Sequence, residues 1–334
     1  LALPRIIEVS FLQVAKTVEL FLASLISTAS YTYFTFANTL QLLPVGLFGT
    51  SIAKAALPTL SRQGDRPSEF SRTLFGALYQ IVFLVLPIAT ALIVLRIPLV
   101  RLVFGTDIFS WEATVQTGMV VSAFALGIVF QATAALLARG FYALHDTKTP
   151  VVISLSTIVM TITADFILIR GLGLPVWGLA AAFSFGSFLQ ATLLFSLINK
   201  RIGNGAHIAG LVPILKSVLA ALASGIVMYL FLKIFDRSVW IKRLSFLGKI
   251  EAARGIAFER FVLDTRYTFN LLVLTVFVIT VGIIVYLTIS IVLKSKEVWY
   301  FFNLIARVLK RRVEPIPIRE PEPVAPPPTD TGST

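Results

Sequence analysis

The sequence predicts an all-α polytopic membrane protein with about eight transmembrane helices, and three observations carry that prediction. Of the 334 residues, 57% are hydrophobic and only 14% are charged, whereas about 25% of the residues in soluble globular domains are charged. The mean hydropathy is +0.87. The apolar residues also gather into separate runs of roughly 20 residues, the length at which a helix rising 1.5 Å per residue crosses the bilayer hydrocarbon.

The apolar runs follow one another with mostly short polar connections, which is typical of a helix bundle. The runs are too long and too uniformly apolar for barrel strands, so each is predicted to be a helix that satisfies its own backbone groups. The predicted spans are residues 6–28, 33–57, 73–95, 115–138, 150–169, 176–198, 209–234 and 268–293.

Two kinds of small-scale pattern refine these spans. Pro44, Pro87 and Pro213 fall inside the second, third and seventh spans, where each is expected to kink or interrupt its helix because proline removes one helical hydrogen bond. In the sixth span, every fourth position from 178 to 186 is glycine or alanine. Such a face lets a neighbouring helix approach closely.

The positions of lysine and arginine predict the orientation, because cytoplasmic turns carry an excess of them. Basic residues follow the second, fourth, sixth and eighth spans: Arg62, Arg66, Arg72, Arg139, Lys148, Lys200, Arg201, Lys294 and Lys296. Fewer follow the third and fifth spans: Arg96, Arg101 and Arg170. The even-numbered turns and the C-terminus are therefore expected on the cytoplasmic side.

The C-terminal third carries further basic segments. Residues 236–267 are predicted to form an amphipathic helix at the membrane interface, although their charge conflicts with the outer location that the orientation requires. Residues 296–312 are predicted to be a basic amphipathic helix on the inner leaflet. The proline-rich residues 313–334 are expected to be a disordered tail.

Signals of catalysis are scarce. The chain has no cysteine and two histidines, His145 and His207, both in predicted loops, so neither a transition-metal cluster nor a histidine-based triad is expected. It also lacks a phosphate-binding P-loop and a G-x-S-x-G nucleophile motif. The net charge of +12 is spread over turns between apolar runs, which argues against nucleic acid as a partner.

The informative residues are charges inside the spans, because such charges are costly and by default mark functional sites. Glu19 and Asp165 lie in the first and fifth spans, and the hydroxyls of Thr161 and Ser184 could join them in an oxygen-lined site for a hard cation such as sodium. The alternative is that Lys16, three residues before Glu19, pairs with it, and that Asp165 lies near an aqueous helix end.

Three segments carry a resemblance to a known family. "GFYALHDTKTPVVIS" (140–154), residues 23–62 beginning "ASLISTASYTYFTFANTL" and "LPIATALIVLRIPLVRLVFGTDIF" (86–109) resemble the MurJ (MviN) lipid II flippases. The resemblance covers about residues 4 to 200. It implies the fold of the multidrug/oligosaccharidyl-lipid/polysaccharide exporter superfamily, in which two six-helix lobes are followed here by two extra helices.

The resemblance also implies a division of the chain. Residues 1–200 would form the second six-helix lobe, and residues 201–295 the two additional transmembrane helices with their insert. The first lobe is expected to be missing, so the chain is expected to be a piece of a longer protein. The location would be the bacterial cytoplasmic membrane, and the cargo would be lipid II, moved from the inner to the outer leaflet.

Site residues follow from the same resemblance. The substrate cavity would include Lys16, Asn38, Thr39 and Gln41, with Thr39 standing where the family has a cavity arginine. Glu19 and Asp165 would resemble the sodium site of cation-coupled relatives. The missing arginine favours an alternative, an exporter of another polyprenyl-linked saccharide. A fragment or scaffold that transports nothing is the third possibility.

Overall fold

The apolar runs are helices in the structure, a computed structural model that describes residues 2–106, 109–203, 211–235, 268–295 and 297–299. The helices are α1 Ala2–Ile26, α2 Ser30–Pro44, α3 Ser51–Arg62, α4 Pro67–Val94, α5 Arg96–Phe104, α6 Trp111–Ala143, α7 Lys148–Phe166, α8 Trp177–Ile202, α9 Leu211–Phe235 and α10 Thr268–Val292. Two wider π-helical turns, Val45–Thr50 and Ile167–Gly171, interrupt or extend them.

Within the described residues, eight segments are long and apolar enough to cross a membrane, which confirms the predicted number. One of them is continuous from Ser30 to Arg62 through α2, the first π-helical turn and α3, and another runs from Lys148 to Gly171 through α7 and the second π-helical turn. The short helix α5 was not predicted. The predicted insert helix (236–267) and the predicted disordered tail (313–334) lie outside the described residues, as does the predicted helix 296–312 except at 297–299.

The three prolines inside predicted spans behave differently. The α-helix gives way to a π-helical turn directly after Pro44, as expected from the loss of a hydrogen bond. Pro87 lies inside α4, which continues to Val94 without a break. Pro213 lies in the first turn of α9, where the interruption expected from sequence does not occur because N–H groups in a first turn have no helical acceptor in any case.

Helix α6 is the centre of the bundle and the most buried of the eight spanning segments. It runs parallel to α8, because Gly127 meets Ser184 and, further along both helices, Gly140 meets Ile198. Helix α7 lies antiparallel to α8, with Thr161 against Gly186 and Ile169 against Gly178. The face of glycine and alanine on α8 is therefore a packing surface for α7.

The last two described helices form an antiparallel pair that packs on α4. The Ser224 hydroxyl of α9 donates a hydrogen bond of 2.8 Å to the carbonyl of Gly282 on α10. Phe83 of α4 is buried with Ala220 and Ala221 of α9. The pair therefore extends the six-span bundle on the outer side of α4 and does not contribute to its centre.

The turn between α6 and α7 uses its charged residues to hold three helices together. His145 adopts a left-handed conformation with φ 59°, and the chain then turns back toward α7. Asp146 accepts hydrogen bonds from the Thr149 backbone N–H (3.0 Å) and hydroxyl (2.8 Å) and forms a salt bridge with Arg201 of α8. Partial burial opposes ionisation of Asp146, but these partners outweigh it and hold the pKa of its carboxyl below the usual range.

Candidate functional site

Glu19 and Asp165 lie on neighbouring helices, α1 and α7. These helices pack side by side, and the two carboxylates are close enough for the charge of Glu19 to act on Asp165. Asp165 is 1% exposed, and neither of its carboxylate oxygens has a hydrogen-bond partner among the described residues. Glu19 is half-buried. A buried carboxylate without a donor is strongly destabilising unless something else compensates its charge.

The local sequence explains why Asp165 can be buried at this depth. The Thr161–Gly186 and Ile169–Gly178 contacts bracket Asp165, which places it opposite the small side chain of Ala182 on α8. The small side chain allows the backbones of α7 and α8 to approach each other closely beside Asp165. The π-helical turn begins two residues after Asp165, and such turns are frequent at functional sites.

The two hydroxyls that sequence assigned to the cation site are both engaged elsewhere. Thr161 lies one turn before Asp165, and its hydroxyl donates a hydrogen bond of 2.9 Å to the carbonyl of Thr157. Ser184 lies on the opposite face of α8, where its hydroxyl donates 2.6 Å to the carbonyl of Ala123 on α6. The structure thus brings Thr161 near the carboxylates and leaves Ser184 on the α6 side of the bundle.

Lys16 lies one turn before Glu19 on α1, and its charge acts on the Glu19 carboxylate. No salt bridge joins Lys16 to Glu19, however, and the Lys16 side chain is exposed. Asp165 is almost completely buried, although its helical segment ends six residues later, at Gly171.

The other predicted cavity residues divide between two faces of α2. Gln41 is buried, and its amide donates a hydrogen bond of 2.8 Å to the side-chain oxygen of Asn38, while its own carbonyl oxygen has no hydrogen-bond partner among the described residues. Thr39 is exposed, and its hydroxyl donates 3.0 Å to the carbonyl of Thr35. Thr39 is thus exposed and Asn38 half-buried, whereas Gln41 is enclosed in the bundle.

One polar residue in the bundle was missed from sequence. The side-chain oxygen of Gln131 on α6 is buried without a hydrogen-bond partner among the described residues. A glutamine within the apolar run "GIVFQATAALL" (127–137) is the same kind of signal as an aspartate in α7, and it could have been read in the same way.

The eight spanning segments of the described residues define the class of protein, an all-α multi-pass membrane protein. A solved structure titled as an outward-facing multidrug resistance transporter of the MATE family, in the MOP superfamily, shares this fold with a TM-score of 0.52 at 14% sequence identity. That match covers 92% of this chain and 67% of the transporter.

The family model described as "Lipid II flippase MurJ" matches residues 1–251, and the chain belongs to that family. A probable lipid II flippase MurJ of Vibrio cholerae is 31% identical over 212 residues, which are 63% of this chain and 38% of the relative. The probable MurJ of Rhizobium meliloti is 29% identical over 69% of this chain and 43% of its own length. The chain thus spans about two fifths of these curated relatives.

A solved structure supports the same fold assignment. The lipid II flippase MurJ in an inward closed conformation matches with a TM-score of 0.65 and 22% identity. The match covers 91% of this chain and 54% of that flippase. The expected lobe architecture is therefore confirmed at the level of the fold, and the part of the flippase that this chain does not match is about as long as the part it does.

Proposed function

We propose that the chain is the second lobe of a flippase that moves lipid II from the inner to the outer leaflet of the bacterial cytoplasmic membrane, driven by a cation bound at Glu19 and Asp165. The C-terminus would lie in the cytoplasm. Family membership supports the cargo. The observation that most supports coupling is the burial of Asp165, which has no hydrogen-bond donor among the described residues. The proposal is one of transport and not of catalysis.

The physical problem is to carry a pyrophosphate head group through hydrocarbon, which costs many kcal/mol without compensation. A wet cleft between two lobes that opens alternately to each side lowers that cost. Helices α1 and α2 fit one wall of such a cleft, because Lys16 and Thr39 are exposed on them and α1 is the least buried of the described spans. The other wall would come from a first lobe.

A cation between the two carboxylates would supply the missing compensation. Carboxylate oxygens are ligands for hard cations such as sodium, and the Glu19–Asp165 pair offers up to four of them. Each elementary charge that moves across the membrane potential releases about 2.3 kcal/mol per 100 mV. Binding from one side and release to the other would therefore reset the transporter after each cycle.

Complementation tests the proposal in cells depleted of their own flippase. The chain co-expressed with the first lobe of a relative should restore lipid II to the outer leaflet, and the chain alone should not. Asp165→Asn and Glu19→Gln should abolish rescue at equal protein levels, whereas Thr163→Ala, an exposed position on the same helix, should retain it. Rescue by Asp165→Asn at every sodium concentration would remove the coupling site.

Thr39 favours a cargo other than lipid II, because it is exposed at the position where the family is expected to have an arginine. Without that guanidinium the lobe offers less positive charge to a pyrophosphate, and another polyprenyl-linked saccharide becomes the competing cargo. Thr39→Arg should increase lipid II transport if lipid II is the natural cargo. If the natural cargo is different, the wild-type chain should instead rescue a strain that lacks the corresponding saccharide exporter.

A further inference from the structure

A cavity of about 420 Å³ lies at the end of the bundle opposite the basic turns. It is lined by Leu25 and Ile26 of α1, by Ile169 and Arg170 of the second π-helical turn, and by residues 173–175 before α8. Leu25, Ile26 and Arg170 are exposed, so the cavity is open to the surroundings. By the distribution of basic residues, this end faces outward.

The cavity and the carboxylate pair lie along the same two helices. Helices α1 and α7 pack side by side and run parallel, since their C-terminal ends, at Ile26 and Ile169, line the same cavity. Ile169 is one helical turn beyond Asp165, a rise of about 6 Å. Because Ile169 and Leu22 are buried, a single apolar layer separates the floor of the cavity from the carboxylates.

The route from the other end of α7 is much longer. From Lys148 to Asp165 the helix rises about 25 Å, and the side chains at Val151, Ile153, Thr157 and Ile158 along it are buried. A hydrated cation that entered from that end would have to displace several layers of packed side chains. From the cavity it would have to displace one.

The π-helical turn supplies a reason why that one layer can move. Ile169 and Arg170 both lie in the segment Ile167–Gly171, which the backbone closes with a hydrogen bond of 2.9 Å from the Leu172 N–H to the Ile167 carbonyl. A π-helical turn holds one residue more than an α-helical turn. Its return to α-helical winding would rotate Ile169 relative to Asp165.

We propose that this cavity is the outer entrance for the coupling cation, with Ile169 as its closed gate and Arg170 as the charge that sets how readily cations enter. The inference rests on the proposed coupling at Glu19 and Asp165. A fixed positive charge at the mouth lowers the local concentration of cations, and the effect weakens as salt screens it. The competing entrance is lateral, along the exposed side of α1 toward the half-buried Glu19.

Cysteine labelling separates the two entrances, because the chain has no native cysteine. Leu25→Cys lies in the cavity lining, and Val14→Cys lies on the lateral side of the same helix; the side chains are 45% and 55% exposed. The full chain is purified in lipid nanodiscs and mixed with sodium, and choline replaces sodium to keep the ionic strength constant. Sodium binding is followed by the stopped-flow fluorescence of Trp177. The other three tryptophans are replaced by phenylalanine.

A bulky neutral thiol reagent on Leu25→Cys should slow sodium binding at least tenfold, and the same reagent on Val14→Cys should leave the rate unchanged. Arg170→Gln should speed binding about threefold at low ionic strength, with the gain disappearing in concentrated choline chloride and with Arg170→Lys matching the wild type. Slowing at Val14→Cys alone would overturn the outer entrance. A wild-type chain that gives no sodium signal would remove the coupling site itself and the entrance with it, whereas binding that neither label slows would remove only the entrance.

Discussion

The Tyr286 hydroxyl of α10 donates a hydrogen bond of 2.8 Å to the backbone carbonyl of Phe83 on α4. In an α-helix this carbonyl would accept from the N–H of the residue four positions later. That residue is Pro87, which has no N–H. Tyr286 therefore satisfies the acceptor that the proline leaves open, which explains how α4 passes Pro87 without a break and also fixes α10 to the lobe.

Tyr286→Phe should reduce the free energy of unfolding by about 1–3 kcal/mol, because a buried carbonyl loses its donor. The loss should shrink in a Pro87→Ala background, where the restored N–H can bond to Phe83. Chemical unfolding of the four chains in detergent micelles, arranged as a double-mutant cycle, measures the coupling. Tyr31→Phe, at an exposed position on α2, is the matched control and should change little. Equal losses in both backgrounds would show that Pro87 is irrelevant to the bond.

Asp165→Leu should stabilise the chain in sodium-free choline buffer by at least about 1 kcal/mol, because it removes a buried carboxylate without a hydrogen-bond donor. The same variant should lose any stabilisation by sodium. Thermal unfolding with and without sodium gives both results. A destabilised Asp165→Leu chain in sodium-free buffer would mean that the carboxylate has a stabilising partner among residues outside the described ranges.

Asp146→Asn should cost about 1 kcal/mol at pH 7, the usual value of a side chain that caps a helix start. The folded state holds the pKa of Asp146 below its ordinary value, so the contribution is present above that ordinary value and is lost as the pH falls through the lowered one. The stability difference between wild type and variant should therefore begin to shrink below about pH 4 and should vanish only once the pH is below the lowered pKa of the folded state. Asp65→Asn, in the exposed turn before α4, is the control and should show no such difference.

Gly186→Ala should weaken the contact between α7 and α8 by about 1–3 kcal/mol, because a Cβ at that position would collide with the Thr161 hydroxyl. Thr161→Ala in the same chain should recover part of the loss. Gly76→Ala on α4 is the control, since no atom lies within 4 Å of the added Cβ, and it should be neutral or slightly stabilising. The free energies of unfolding of the four chains measure these effects. An unchanged free energy of unfolding for Gly186→Ala would mean that α7 and α8 can adjust to the added methyl group at no cost.

Single cysteines at Ser61 and Lys148 should react with a membrane-impermeant reagent only after the cells are permeabilised, because the basic turns are assigned to the cytoplasm. Both side chains are exposed, so a failure to react would not be due to burial. A cysteine at Pro175, exposed at the opposite end, should react in intact cells. The reverse pattern would invert the topology.

Much of the fold could be predicted from sequence because membrane spanning imposes a length and a composition on every helix. The same constraint identified Glu19 and Asp165, since charges inside apolar runs stand out by their cost. What could not be predicted is which helices touch. Sequence assigned Ser184 to the carboxylate pair, yet its hydroxyl donates to the carbonyl of Ala123, because the face of α8 that carries Ser184 packs on α6. The order of the helices in the chain does not specify that contact.

The remaining differences arise from backbone geometry. No proline in α7 near Asp165 indicates the π-helical turn that follows it. Helix α5 is too short for its apolar residues to show a helical repeat. Thr39 and Gln41 are two residues apart and so lie on different faces of α2, a separation that the sequence contains but that the cavity assignment overlooked. Sequence alone singled out Glu19 and Asp165, and tertiary packing determines which other side chains lie near them.

The face of small residues on α8 has a mechanical consequence. On one side of Asp165, α7 is locked to α8 by steric fit at Gly178 and Gly186. On the other side it meets α1, which is the least enclosed of the described spans. If a cation binds at Glu19 and Asp165 as proposed, α1 is therefore the helix expected to move, while α7 stays fixed to the rest of the lobe.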